Sequence, residues 1–332
     1  MSYTLRAMFP AIGMTLILPF APPLLAADEP APSKDAPAAE APVERAAFPS
    51  RSQEDALALE RQLPQAEQQQ LQAGDESFLA LWKPANTDSP KGAVIVIPGA
   101  GENADWPNAV GPLRRKLPDV GWSSLSLTMP DALEDGVVAR APDAEPAAAN
   151  ADAEAEAEAD KAKPKDTPVD PAAAAEAEAA ATAARAAADA EQAKAVSERI
   201  FARIESAVAF AQQNKARSIV LIGHGSGAYW AARYMGEKAS PAVQKLVMVT
   251  AQDTGRDTPS LLEILPTLKV ATADFVEKDR PVASKQAQAR LDASKRVKGG
   301  KFTQITLNAI PGNSAADQEQ LARRVRGWLE SQ

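Results

Sequence analysis

Ser218-Ile219-Val220-Leu221-Ile222-Gly223-His224-Gly225-Ser226-Gly227-Ala228-Tyr229-Trp230 decides the reading of this chain. Its first half is a short run of β-branched and apolar residues, the pattern of a strand buried on both faces, and its second half is helix-forming. Three glycines at alternate positions, Gly223, Gly225 and Gly227, mark the junction as a tight turn where backbone passes close to backbone. Only one histidine occurs in the chain, His224, and it lies inside this turn.

The segments on either side alternate in the same way. Ser77 to Trp82, Gly92 to Gly99 and Trp122 to Leu127 read as strands, the second closed by Pro98 and Gly99. Asp105 is placed to cap a helix carrying Val110, Leu113 and Leu117 on one face. Val196, Ile200, Ile204 and Val208 recur every four residues and predict an amphipathic helix before strand Ile219 to Ile222. A helix from about Ser226 to Gly236, strands at Leu246 to Thr250, Val270 to Phe275 and Phe302 to Ile310, and a last helix with Leu321, Val325, Trp328 and Leu329 complete the series. Alternating buried strands and helices predict an α/β fold, a mostly parallel sheet covered on both faces.

Three stretches fall outside that pattern. Met1 to Ala27 has Arg6, an apolar run through Leu16-Ile17-Leu18 and Leu24-Leu25, and a small-residue exit at Ala26-Ala27, as a secretory signal peptide does. Pro10, Pro19, Pro22 and Pro23 argue against a membrane anchor, and after cleavage no span is expected. The mature protein is therefore expected to be periplasmic or otherwise exported. Residues 28–48 form an Ala/Pro-rich linker. Within the remaining domain, 49–332, lies a low-complexity insertion at 139–195, close to half alanine, with thirteen acidic and six basic residues. That imbalance accounts for nearly all of the chain's net charge of −8, so the folded part is almost neutral. The proline-bearing first half of the insertion has too few apolar residues to fold and is expected to be disordered. Ala172 to Ala195 has no proline and is expected to form an exposed helix running into the next one.

Composition removes several chemistries. There is no cysteine, which excludes disulfides, thiolate catalysis and thiolate metal sites. The acids of the insertion lack calcium-loop spacing, so no metal site is expected, and no cofactor, because neither a Walker motif nor a dinucleotide fingerprint occurs. An acidic chain without a basic stripe is not expected to bind nucleic acid; Arg323, Arg324 and Arg326 read as the solvated face of the last helix.

The order of Val94-Ile95-Val96-Ile97-Pro98-Gly99-Ala100-Gly101, the stretch 221–228, Ala273-Asp274-Phe275-Val276-Glu277-Lys278-Asp279 and Ile310-Pro311-Gly312-Asn313 resembles an α/β-hydrolase, and more narrowly an uncharacterised bacterial domain-of-unknown-function family of that superfamily. The resemblance covers Gln53 to Leu329 apart from the insertion. It implies that the junction is a nucleophile elbow, G-x-S-x-G, with the nucleophile's position at Gly225. The position of the catalytic histidine would be Asn313, which cannot take up a proton, and that of the acid Asp279. Ser314 and Asp317 look like a capping arrangement for the last helix. Ser226, one residue beyond the nucleophile's place, reads mainly as the start or cap of its helix, and His224 as a histidine packed beside the turn. An oxyanion pocket is implied from the Ser226 N–H and an N–H near Ala100 or Gly101. The expected function is thus ligand or partner binding without Ser-His-Asp catalysis, the ligand-binding residues being Gly99, Ala100, Gly101, His224, Gly225 and Ser226 and the partner a small molecule or an envelope protein. The alternatives are an ester or acyl hydrolase using Ser226 with a non-histidine base such as Asp279 or a lysine, or an acidic insertion that recruits a partner.

Overall fold

A computed structural model describes residues 49–131 and 171–332, except 239, 255–258, 279–280 and 298–299. The stretches expected to form a signal peptide and a linker, the first half of the insertion and Asp279 lie outside the described residues.

The folded unit begins with helix α1, Arg51–Gln62, whose capping box supplies acceptors for two backbone N–H groups at its start, the Ser50 hydroxyl accepting from Gln53 and the Gln53 side chain from Ser50. Strands β1, Gln68–Ala73, and β2, Glu76–Lys83, form a hairpin about Gly74, which adopts positive φ. β3, Gly92–Ile97, is buried at every position, helix α2 spans Val110–Lys116, and β4 spans Trp122–Leu127. The long helix α3, Pro171–Gln213, joins the alanine-rich sequence to the amphipathic one as a single helix, exposed at every residue from 179 to 192 and then buried on one face. β5, Ile219–His224, leads into α4, Ser226–Lys238; β6, Val243–Val249, short α5, Leu261–Ile264, β7, Ala271–Glu277, α6, Pro281–Lys295, β8, Phe302–Leu307, and α7, Ser314–Ser331, follow.

The eight strands form one sheet in the order β1-β2-β4-β3-β5-β6-β7-β8, antiparallel at β1–β2 and β2–β4 and parallel elsewhere. Period-two alternation sends Ile95, Ile97 and Leu221 to one face and Val94, Val96, Val220 and Ile222 to the other. The first face packs against Ile200 and Ile204 of α3 and Tyr229 of α4; the second packs against Leu113 of α2 and Val325 and Trp328 of α7. Chain order reverses between β3, whose next strand lies on one side, and β5 on the other. In open parallel sheets a ligand crevice forms outside the carboxyl ends of the strands at such a switch point. Here the Pro98–Glu102 loop and the 224–226 turn meet there.

Two buried arginines fix the frame. Arg114 of α2 is bound by Glu67 and by Asp105, at 2.9 Å in the second case. Arg290 of α6 pairs with the fully buried Asp274 of β7 at 2.9 Å, and Gln304 of β8 donates to the same carboxylate at 3.2 Å. Asp105 therefore does not cap a helix: α2 starts five residues later, and the carboxylate reaches back to Arg114 and Arg115, where opposite charge outweighs local capping. β8 ends at Leu307, short of Ile310, because 310–313 turn sharply about Gly312 at positive φ. The cap of α7 also differs from expectation. Asn313, rather than Ser314, is the N-cap, its side chain accepting the Ala316 N–H at 3.0 Å, while Asp317 accepts the Ile310 N–H at 2.8 Å. The side-chain amide geometry suits Asn one position earlier than the serine-based reading placed it.

Candidate functional site at the glycine elbow

Each glycine of the elbow has its own reason. A side chain on Gly223 would collide with the backbone of Gly227 and Ala228, where helix α4 folds back on β5, and one on Gly227 would collide with the carbonyls of Ile97 and Pro98 at the end of β3. Gly225 differs: a β-carbon there would meet only the Gly99 Cα, at 3.9 Å, but its φ is +56°, a left-handed conformation unfavourable to other residues. Its backbone is pinned from β6, with its N–H on the Val249 carbonyl and its carbonyl accepting from Gln252, both at 3.0 Å. The turn thus has the backbone of an elbow with space for a side chain at its apex and none supplied.

Ser226 is the first residue of α4, yet its hydroxyl does not cap the helix. Oγ accepts the Ala100 N–H at 2.7 Å, across from the β3 loop. This alters the expected pair of oxyanion donors, because the Ala100 N–H is already engaged by the serine. The hydroxyl proton is left to donate, and a hydroxyl that accepts one hydrogen bond donates another more strongly. The Ser226 N–H, at the first position of the helix, has no acceptor within it.

His224, at the end of β5, is 17 % exposed, and its Nδ1 lies 2.8 Å from the carboxylate of Glu102, itself 13 % exposed. Glu102 also accepts the Gly99 N–H at 2.7 Å, and the Glu102 N–H donates to the Gly99 carbonyl. The carboxylate thus clamps the β3 loop to the elbow and fixes where Ala100 presents its N–H. Sequence reading did not find Glu102, which is 122 residues from its partner; the one signal was an acid directly after the glycine loop.

Between these groups lies a cavity of about 40 Å³, its walls including Gly99, Ala100, Gly101, Glu102 and Ser226, with Met129, Ile200 and Trp230 on the apolar side. Of the expected ligand-binding residues, His224 and Gly225 stand behind this wall and do not line it. Arg51 and Asp131 form the remaining rim, also unforeseen from sequence. The Asp131 carboxylate accepts from Arg51 Nη2 at 2.7 Å and from the Ser52 N–H at 2.9 Å. Burial acts to raise its pKa, but the hydrogen bonds from Ser52 and Arg51 outweigh it and hold the carboxyl below its ordinary value. Asn313 does not join this group; its side chain is engaged at the cap of α7. Among the described residues no cluster of three or more His, Asp or Glu side chains could hold a metal ion, and no helix is long and apolar enough to cross a membrane.

A model of proteins of unknown function, DUF3530, matches residues 9–331. The chain belongs to the DUF3530 family. No curated protein matches it. Among solved structures, this DUF3530 protein is similar to one from Klebsiella pneumoniae assigned as a dienelactone hydrolase, at 12 % identity and TM-score 0.50 over 80 % of this chain and 98 % of that one. It is also similar to Est1E from Butyrivibrio proteoclasticus, at 9 % identity and TM-score 0.50 over the same shares. At such identities the likeness is one of fold. DUF3530 here has an α/β-hydrolase-like architecture, an eight-stranded, mostly parallel sheet with helices on both faces.

Proposed function

We propose that this protein is an exported α/β-hydrolase-fold protein that lacks Ser-His-Asp catalysis and uses its elbow to bind a carbonyl- or carboxylate-bearing ligand. The observation that carries this reading is Gly225: the apex of the elbow keeps the positive φ and the open space of a nucleophile's position but has no side chain. Two further placements support it. Asn313 is committed to a helix cap, and the chain's one histidine is held by Glu102 beside the turn. What remains at the site is a set of donors, the Ser226 hydroxyl and the free N–H at the start of α4, suited to a ligand oxygen.

The second reading, a hydrolase that attacks with Ser226, is favoured by one observation: the hydroxyl lines the cavity instead of capping its helix. A nucleophilic serine needs a proton acceptor within hydrogen-bond reach, and among the described residues the Ser226 hydroxyl meets only the Ala100 N–H, a donor. Incubation of the purified protein with a fluorophosphonate probe, followed by peptide mass analysis, separates the two. Binding alone predicts an unlabelled Ser226; hydrolysis predicts an adduct that Ser226→Ala abolishes.

A further inference from the structure

The elbow cavity, at about 40 Å³, has room for one or two waters and too little for an organic ligand. Binding there requires a wall to move, and the walls are held unequally. Ile200 and Trp230 belong to the main core, and the β3 loop is clamped by Glu102 to His224 and to the Gly99 N–H. The rim is held through the Asp131 carboxylate, by its ion pair with Arg51, whose side chains are 47 % and 16 % exposed, and by the Ser52 N–H. Water and salt weaken such a pair far more than they weaken packed side chains. Arg51 would keep its place if Asp131 left, because its Nη1 is also held by Asp55 of the same helix at 2.8 Å.

The chemistry of that pair identifies what could replace it. Arg51 Nη2 and the Ser52 N–H already grip a carboxylate at the edge of the cavity, and Ser226, which also lines the cavity, has a hydroxyl proton to donate. Exchanging one carboxylate for another keeps Arg51 and the Ser52 N–H paired, and the displaced Asp131 carboxylate passes to solvent. Resting on the binding role proposed above, we infer that Asp131 is an internal stand-in for the ligand: the elbow takes a short-chain oxo acid, whose carboxylate displaces Asp131 from Arg51 and Ser52 and whose second carbonyl oxygen accepts from Ser226. Its alkyl part lies against Met129 and Trp230.

The test uses the full-length ¹⁵N-labelled protein, following the Ala100 amide by NMR during titration with 2-oxobutyrate and, separately, with its uncharged methyl ester. Removing the competing charge by Asp131→Asn raises the fraction of protein open to the acid, and binding of 2-oxobutyrate tightens by about fivefold, the order expected for loss of one exposed pair. The ester, which cannot pair with Arg51, binds more weakly than the acid to wild type and variant, and Arg51→Gln abolishes the preference for acid over ester. Asp131→Ala, which removes the stand-in altogether, gives the same direction if the asparagine variant folds poorly. Equal binding of acid and ester by wild type and both Asp131 variants overturns the stand-in while leaving a binding elbow intact. Failure of either compound to shift the Ala100 amide in any of the proteins overturns the binding elbow and this inference with it.

Discussion

The Ala100 N–H donates to the Ser226 hydroxyl at 2.7 Å, joining the loop after β3 to the first turn of α4 across the mouth of the switch point. This bond makes Ser226 part of the cavity wall. Ser226→Ala is expected to cost about 1 kcal/mol, the usual net contribution of a hydrogen bond. The Ala100 amide should then exchange with solvent deuterium faster than in wild type, with amides in β3 and β5 unchanged, as hydrogen exchange followed by NMR would report.

The three elbow glycines predict a graded series. Gly223→Ala and Gly227→Ala push a methyl into backbone that cannot yield, and each should destabilise by about 1–3 kcal/mol or more, as overpacking does. Gly225→Ala meets open space and bears only the left-handed strain, about 1–2 kcal/mol. Urea denaturation of the three variants should place Gly225→Ala nearest to wild type.

Asn313 is a test of assignment by position. If it serves only as the cap of α7, Asn313→Ala should lose about 1 kcal/mol of stability and leave ligand titrations at Ala100 unaltered. Asn313→Asp, which also caps and places a negative charge at the helix start, should keep or raise the melting temperature.

Acid should unfold the protein through its bound carboxylates. Burial raises the pKa of Glu67, Glu76 and Asp131, but arginine partners, with Lys83 at Glu67 and Ser52 at Asp131, pull each below its ordinary value. A carboxyl depressed in the folded state contributes stability that is fully present above its unfolded pKa, about 4, and is lost as pH falls through the folded pKa. Stability should therefore be level with respect to these groups from pH 7 to about 5 and decline below about 4. Chemical denaturation repeated across that range should show a shallower decline for Glu67→Gln than for wild type.

The sequence made the centre of the sheet legible and left its rim obscure. β3 and β5 are continuous apolar runs ending in glycine turns, a pattern that few other structures produce. β1, with four glutamines in six residues, has no such pattern and is a strand because β2 pairs with it. α1 carries a local signal in Ser50 and Gln53, the spacing of a capping box. At the site, Gly225 and Ser226 could be found because the turn is local. Glu102 and Asp131 could not, since each acquires its role from a partner brought close by the fold, His224 in one case and Arg51 in the other. Arg114 and Arg290, buried and paired with distant acids, were unreadable for the same reason.

Whether the vacant apex has ended catalysis is tested most directly by measuring p-nitrophenyl butyrate hydrolysis by the wild-type protein and by Gly225→Ser, side by side. There is space for the serine at the apex, so the variant should fold, about 1–2 kcal/mol less stable for the strain at positive φ. Without a base at Asn313 neither protein should exceed the buffer rate. Turnover by wild type that Ser226→Ala removes would contradict the account.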